Sequence, residues 1–400
     1  MKCKITNKPI KPFMSFGKMP IANGFLNKSD FKSEFFYNME VGFSEEISLF
    51  QLNDFPKPEM MFNKNYPFFT GSSLYMVNHF KDYADWIKKN YLKDHSKLIE
   101  IGSNDGTFLS NFNSTNIDFL GFEPSSNVAA RANKKNIKTI NKFFNQKNVN
   151  DLNEFLKNTD VICAANVICH IPDINELILT VDKLLSTDGL FIFEEPYLGA
   201  MFEKTSYDQI YDEHIYIFSA HSVKKIFNLH DFELIDLIPQ PSHGGSMRYV
   251  IGRKGKHKIN SSVNKIVDTE KKLLLDNISS CLKFKKQCEN SKKKTVDELA
   301  LFKKDGKIIC GYAATSKSTT ILNYCGIGPD IVDYICDTTP EKIGKFSPGM
   351  HIPIKSIEFF KKNLPDVAYL FAWNHKNEIF KKEKEFIIEK KGKWFSHVSL

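Results

Sequence analysis

Short apolar runs alternate with helically spaced apolar positions through the middle of the chain. Four such runs are found at residues 97–101, 119–123, 160–165 and 189–193. Between the last two, the apolar residues of 174–185 recur at helical spacing. Short buried strands that alternate with helices favour a mainly parallel sheet with helices on both faces.

The same alternation resumes after Gly306. Residues 307–312, 331–337 and 367–372 are predicted strands, and residues 319–324 and 357–362 are predicted helices. We therefore expect a second, smaller α/β unit of Rossmann-like type in residues 306–400.

Two further regions complete the expected organisation. Residues 1–85 contain six prolines and short apolar clusters, which predicts a small, mostly β module with a helix over 73–91 leading out of it. Residues 262–301 place apolar side chains on one helical face and lysines around the rest, which predicts one long amphipathic helix, continuous or broken. The expected domains are 1–85, 86–255, a linking helix over 256–305, and 306–400.

Composition places the chain among folded proteins without a membrane span. Its 400 residues are 42% hydrophobic and 26% charged, too apolar for a disordered chain. No window approaches the roughly 20 unbroken apolar residues of a span, and the N-terminus has no apolar signal segment, so we expect a cytoplasmic protein. The net charge of +8 is small for this length and suits an anionic small molecule. The eight cysteines show no C-x-x-C spacing and are expected to be buried thiols.

The most informative stretch follows the strand predicted over 97–101. Gly102 and Gly106 flank Asn104 and Asp105 there, and glycines at a strand-to-helix turn let the backbone approach a ligand closely. The loop lacks the G-x-G-x-x-G spacing of dinucleotide sites, and Asp105 would repel phosphate. Glu123 ends the next strand, where its carboxylate can accept hydrogen bonds from both hydroxyls of a ribose. These acids favour S-adenosylmethionine (SAM), whose ammonium and sulfonium are cationic.

Motifs along nearly the whole chain resemble the SAM-dependent sugar C-methyltransferases, which act on nucleotide-linked 4-keto-6-deoxy sugars. The matching segments, in the order that this family shows, are 100–107, 121–125, 166–170, 195–199, 211–214, 243–248, 311–317, 348–353 and 373–374. The resemblance implies a class I methyltransferase fold in the middle domain and SAM as the cofactor. It also implies a nucleotide-sugar substrate.

The N-terminal module departs from this family, whose members usually hold a structural zinc there with two C-x-x-C pairs. The first pair would be Cys3 and Thr6, and the second would fall in 43–46, which contains no cysteine. Because a tetrahedral zinc site needs four nitrogen or sulfur ligands, we predict that this module folds without the metal. No metal site is expected elsewhere.

Methylation of a carbon beside a ketone needs a base for the C–H proton and a donor for the developing enolate oxygen. Histidine titrates near neutrality and suits the first task. The resemblance puts forward His214 as this base, with Tyr211 and Glu213 lining the site. We expect Glu213 to orient the imidazole or a sugar hydroxyl, and Tyr211 to donate to the enolate or to position the sugar ring. Neighbouring strand residues point to opposite faces, so Glu213 and His214 can share a pocket only on a loop or bend.

The other candidate residues are expected around the two ligands. Tyr66 resembles the aromatic residue that the family brings over the active site, although a core position is the other interpretation. The predicted cofactor-binding residues are Gly102, Asn104, Asp105, Gly106, Glu123, Asn166 and His170. The predicted substrate-binding residues are His243, Gly244, Lys317, Trp373 and Asn374. We expect His170 near the methyl group, and Lys317 beside the pyrophosphate, because a helix N-terminus and a cation favour phosphate.

Two other functions stay open at this point. An enzyme with the same cofactor half could methylate oxygen or nitrogen of a sugar or another small metabolite. The lysines of 253–304 are the only support for a nucleic-acid-binding protein, and the acids among them weigh against it. We expect a monomer with a nucleotide-sugar partner, no nucleic acid and no membrane. The sequence does not identify the nucleotide, the sugar or the methylated atom. It does not identify the oligomeric state either.

Overall fold

A computed structural model describes all 400 residues, which form three sheets with helices packed around them. The N-terminal part contains β1 (Pro12–Pro20), β2 (Phe36–Ser44), β3 (Leu49–Leu52), α1 (Pro58–Met61) and α2 (Leu74–Tyr91). The middle part contains β4 (Lys97–Ile101), β5 (Asp118–Phe122), α3 (Ser126–Lys134), β6 (Thr139–Ile140), α4 (Gln146–Val149), β7 (Thr159–Ala165), α5 (Ile174–Leu184), β8 (Leu185–Pro196), α6 (Leu198–Lys204), β9 (Tyr216–Ile217), α7 (Ala220–Asn228), β10 (Phe232–Gln240) and β11 (Ser246–Arg253). The rest of the chain contains α8 (Ser261–Lys272), α9 (Ile278–Lys304), β12 (Ile309–Tyr312), α10 (Ser316–Cys325), β13 (Tyr334–Asp337), β14 (Ile354–Ser356), α11 (Ile357–Lys362), β15 (Val367–Leu370), α12 (Lys376–Lys382), α13 (Lys384–Ile388) and β16 (Lys393–Phe395).

Two of the three sheets are mainly parallel. The seven-stranded central sheet has the order β10-β11-β8-β7-β4-β5-β6, and only β11 runs antiparallel to its neighbours. The five-stranded C-terminal sheet, of order β14-β13-β12-β15-β16, is wholly parallel. This architecture confirms the predicted α/β class, with a Rossmann-like sheet in the middle of the chain and a second one after it.

Helix α2 shows how the sequence pattern builds these layers. The side chain of Ser73 accepts a hydrogen bond from the backbone amide of Met76 and so caps the first turn. The helix then buries Phe80, Tyr83 and Ile87 in one apolar cluster with residues of the central sheet. Full burial of each side chain contributes roughly 1.5–3 kcal/mol, which outweighs the weak helix propensity of the aromatic residues.

The N-terminal sheet takes its fourth strand from the middle part of the chain. Its order is β1-β2-β3-β9, so the short strand β9 of the middle part completes it, with Phe50 opposite Ile217 and Gln51 opposite Tyr216. This pairing fixes the chain immediately after residues 211–214 against the N-terminal module.

Apolar packing and one polar clamp occupy the region where the family holds zinc. Cys3 is fully buried in a cluster that includes Ile47 and Leu49. The side chain of Gln51 accepts from the backbone amide of Lys4 and donates to the carbonyl of residue 2, both at 3.0 Å. Residues 1–62 contain no histidine and no second cysteine, so the ligand set does not fit a zinc ion.

Two helices, rather than one, occupy most of residues 256–305. Leu274 has a φ of 56°, which interrupts the helical path, and the side chain of Asn277 caps the start of α9. Lysines on α9 face acids one turn away, as in the pairs Lys285–Glu289 and Lys294–Glu298. All eight cysteines are buried and unpaired, and none of the helices is both long and apolar enough to cross a bilayer.

Candidate active site

A cavity of about 520 Å³ lies where the three parts of the chain meet. The central sheet contributes the loops after β4, β5 and β7, the N-terminal part contributes the segment around Tyr66, and the C-terminal part contributes the start of α10. Ligand crevices in α/β sheets form at the carboxyl ends of the strands, so this position follows from the topology.

The loop after β4 makes a turn at Gly102, as its glycines predict. Gly102 has a φ of 68°, and a Cβ added there would lie 2.3 Å from the side chain of Val167, so only glycine fits. Glu123 accepts from the backbone amides of Asn104, at 3.1 Å, and Ser125, at 2.7 Å. Each carboxylate oxygen keeps a second lone pair, which a ribose hydroxyl could use.

Asp105 and Gly106 do not line the cavity, contrary to the sequence prediction. Asp105 is fully buried and instead accepts from the hydroxyl of Thr107 at 2.6 Å and the ammonium of Lys135 at 3.2 Å. The strand-to-loop pattern could not show which way this side chain points, because Lys135 comes from the end of α3.

Glu100 is the acidic group that the sequence prediction missed. It is 5% exposed, lines the cavity, and its Oε2 has no hydrogen-bond partner. Burial and the neighbouring charge of Glu123 raise the pKa of Glu100 well above its usual value. Asn166, at the end of β7, also presents an unpartnered Oδ1 to the cavity. Orphaned acceptors suit a ligand that brings a cation, so these residues fit the ammonium of SAM.

The segment Tyr211–His214 forms a turn between a 3₁₀ helix at Tyr207–Gln209 and β9. The backbone amide of His214 donates to the carbonyl of Tyr211 at 2.9 Å, which closes the turn. The turn allows Tyr211, Glu213 and His214 to line one cavity, as the prediction for a bend required.

His214 is held by two hydrogen bonds. Its Nδ1 lies 2.7 Å from the backbone carbonyl of Gln209, and its Nε2 lies 2.7 Å from the hydroxyl of Tyr211. The residue is 3% exposed, and burial together with His170 lowers its pKa well below the usual value. The imidazole is therefore neutral, as a proton acceptor must be.

Glu213 does not contact the imidazole, so the carbonyl of Gln209, rather than Glu213, orients the ring. The Glu213 carboxylate accepts from the Asn23 side-chain amide at 2.6 Å and from the hydroxyl of Tyr66 at 3.1 Å. Burial raises the pKa of Glu213, and these two donors oppose the rise. Asn23 lies 190 residues away in sequence, and no local motif could have pointed to it.

His170 packs on His214, with ring centroids 5.4 Å apart and an interplanar angle of 20°. Phe62 covers its other side at 5.6 Å. Burial lowers the pKa of His170 to about 3, and its Nε2 has no partner. Cys169, His170 and His214 have ligand atoms within 4.8 Å of one another, but both nitrogens of His214 are already hydrogen-bonded.

The C-terminal part contributes two cations to the cavity wall. Lys317 lies in the first turn of α10, 3.3 Å from the side-chain oxygen of Asn374. Lys342, which the sequence prediction missed, donates to the carbonyl of Ala314 at 2.8 Å and lies over the ring of Phe25. The cluster thus joins two lysines to the backbone amides at the start of α10, which favours an anion.

His243 and Asn374 line the cavity, whereas Gly244 and Trp373 do not, contrary to the prediction. Trp373 is 6% exposed and supports Lys317 from below, with the ammonium 4.8 Å from its ring. Its indole donates to the buried carboxylate of Asp208 at 2.7 Å, and Gly244 packs against the ring. Gly244 and Trp373 therefore lie behind the cavity wall, where they support Lys317.

Three segments of the chain match known protein families. Residues 75–237 match a methyltransferase domain family, residues 241–398 match a C-methyltransferase C-terminal domain, and residues 3–62 match a putative zinc-binding domain. The chain is 28% identical to C-methyltransferase NovU of Streptomyces niveus over 377 residues, which cover 94% of this chain and 90% of NovU.

Two solved structures are similar to part of the chain. The plantazolicin methyltransferase BpumL with SAH is 13% identical, with a TM-score of 0.35 over 44% of this chain and 82% of BpumL. The magnesium protoporphyrin IX methyltransferase ChlM of Synechocystis PCC 6803 with SAM is 12% identical, with a TM-score of 0.34 over 44% of this chain and 79% of ChlM. The family matches and the similarity to NovU confirm the resemblance identified from the motifs.

Proposed function

We propose that this SAM-dependent C-methyltransferase methylates the carbon beside the ketone of a nucleotide-linked keto-deoxysugar. The observation that carries the proposal is that the buried imidazole of His214 lines one cavity together with the carboxylates of Glu100 and Glu123 and with two lysines, Lys317 and Lys342. A neutral histidine can take a proton from carbon, and the lysines suit the phosphates of a nucleotide.

The residues divide between the two ligands. When bound, SAM supplies an electrophilic methyl group on its sulfonium. Glu100 would hold the ammonium of the cofactor and Glu123 its ribose hydroxyls. Lys317, Lys342 and the amides of α10 would hold the diphosphate of the substrate.

The reaction begins with the loss of a proton from the carbon next to the ketone. His214 would accept that proton, and the buried site strengthens every hydrogen bond to the enolate oxygen because water is excluded. Tyr66 and Asn23 would keep Glu213 in place at the edge of the sugar.

A panel of dTDP- and GDP-linked 4-keto-6-deoxyhexoses tests the proposal. We expect the enzyme with SAM to add the mass of one methylene group to at least one sugar. In D₂O it should also exchange the proton beside the ketone. The variant His214→Asn should lose both activities and keep its affinity for SAH.

The control is His95→Asn, because His95 is exposed and has a φ of 66° that asparagine tolerates. It should behave as the wild type. Near-normal turnover by His214→Asn would remove His214 from its proposed role. Methyl transfer without deuterium exchange would instead indicate methylation at oxygen or nitrogen.

A further inference from the structure

A buried carboxylate, Asp208, lies behind the substrate side of the cavity. Its Oδ2 accepts from the indole of Trp373 at 2.7 Å, and the ring of that indole lies 4.8 Å from the ammonium of Lys317. Burial lowers the pKa of Lys317, and the negative charge of Asp208 opposes this fall. Asp208 does not line the cavity, but it therefore supports the cation that we assign to the substrate diphosphate.

The second oxygen of this carboxylate faces His397. The Nε2 atom of His397 lies 3.2 Å from Oδ1 of Asp208, both side chains are fully buried, and neither atom has a hydrogen-bond partner elsewhere. A buried carboxylate oxygen is costly unless a donor or a cation compensates it. Burial by itself would raise the pKa of Asp208, but His397 and Lys317 outweigh burial and hold this pKa below its usual value.

The C-terminal sheet in turn holds His397. Its Nδ1 lies 3.1 Å from the hydroxyl of Tyr369 on β15, and its ring packs on Tyr207 with the centroids 5.0 Å apart. Tyr207 belongs to the same 3₁₀ helix as Asp208. The imidazole is thus fixed between the C-terminal sheet and the carboxylate that supports the cavity wall.

We propose that His397 is a positioning residue for substrate binding: its Nε2 holds the carboxylate of Asp208, which fixes Trp373 and, through the indole, the ammonium of Lys317. This inference rests on the proposed function and deepens it. Among these four residues only Lys317 lines the cavity. The effect of His397 should therefore fall on affinity for the nucleotide part of the substrate and leave the affinity for SAH unchanged.

The test measures binding of dTDP and GDP to the intact enzyme, loaded with SAH, by calorimetry. His397→Phe keeps an aromatic ring but removes the nitrogen that faces Asp208. In His397→Gln the side-chain amide takes approximately the place of Nε2 and can donate to the carboxylate. Phe360→Leu is the matched control, because Phe360 is fully buried in the same part of the chain but packs on Tyr312 and Phe386.

His397→Phe should weaken binding of the nucleoside diphosphate roughly tenfold, and His397→Gln should recover most of this loss. In an Asp208→Asn background, His397→Phe should have no further effect, because its role depends on the carboxylate. Phe360→Leu should lower the melting temperature and leave both affinities unchanged. If His397→Phe does not fold, His397→Asn takes its place, since its shorter side chain does not reach Asp208.

Three results would overturn the inference. Binding by His397→Phe within about twofold of the wild type would show that the contact with Asp208 does not reach the cavity. The same loss in His397→Gln, or a loss that persists in the Asp208→Asn background, would show that His397 supports the fold rather than this carboxylate. A wild-type enzyme that binds neither diphosphate and methylates none of the linked keto sugars would instead refute the proposed function itself.

Discussion

Gly244 offers a test of how the substrate side of the cavity is supported. It has a φ of 85°, and a Cβ added there would lie 2.1 Å from the ring of Trp373. The ring cannot move freely, because its indole nitrogen donates to buried Asp208 and its face supports Lys317. Gly244→Ala should therefore introduce backbone strain and also displace the tryptophan.

The two costs can be separated with a matched glycine. Gly255 has a φ of 74° with nothing within 4 Å of an added Cβ, so Gly255→Ala carries the backbone cost alone, about 1–2 kcal/mol. Gly244→Ala should lose a further 1–3 kcal/mol or so from overpacking against a buried ring. Urea unfolding of both variants measures this difference.

The functional effect of Gly244→Ala should be confined to the substrate. Displacement of Trp373 moves Lys317, so KM for the keto sugar should rise while SAH affinity stays unchanged. Equal stability of the two alanine variants, or an equal loss of SAH affinity and substrate affinity, would refute the view that Trp373 is a rigid support for Lys317.

Further predictions concern other groups of the site. Lys317→Met should raise KM for the nucleotide sugar at least tenfold without changing SAH affinity, as measured by steady-state kinetics and calorimetry. Asn23→Ala removes a donor that lowers the pKa of Glu213, so this pKa should rise, and any acid limb of the kcat/KM profile set by Glu213 should move to higher pH. The pKa of His170 is about 3 in the folded protein and about 6.5 in the unfolded chain. The unfolded state therefore binds more protons below pH 6.5, and the folded protein loses stability as the pH decreases. His170→Asn should remove about 2 kcal/mol of that loss between pH 8 and pH 5, as measured by urea unfolding. Prolonged dialysis against EDTA should leave the melting temperature unchanged, whereas a fall of several degrees would show that the N-terminal module does hold a structural metal.

Local sequence patterns were sufficient to predict those parts of the site that lie on a single loop. The loop at Gly102 and the carboxylate of Glu123 follow strands of the central sheet, and the strand pattern alone places such loops at one edge. The turn containing Tyr211 and His214 was found as a motif. Its backbone geometry explains why residues that would face opposite ways on a strand line one cavity.

Other residues could not be predicted, because distant segments decide where their side chains point. Asp105 belongs to the cofactor loop, but Lys135 pairs with it away from the ligand. Trp373 was expected to touch the substrate, but Asp208 holds its indole beneath the wall. Asn23 has no motif at all, and only the folded N-terminal module brings it to Glu213.

The catalytic turn itself depends on all three parts of the chain. The carboxylate of Asp212 accepts from the backbone amide of Ala22 at 3.1 Å, and the carbonyl of Ala22 accepts from the hydroxyl of Thr319 on α10 at 2.8 Å. Thr320 donates to the carbonyl of Ile210, which starts the turn, at 2.9 Å. The cofactor loop is also held by the N-terminal part, because the amide of Thr70 donates to the side chain of Asn104 at 2.9 Å, whereas the turn is clamped between an N-terminal segment and a C-terminal helix. A change that loosens the contact with α10 should therefore reduce proton transfer before it reduces cofactor binding, because this helix supports the turn through Thr319 and Thr320.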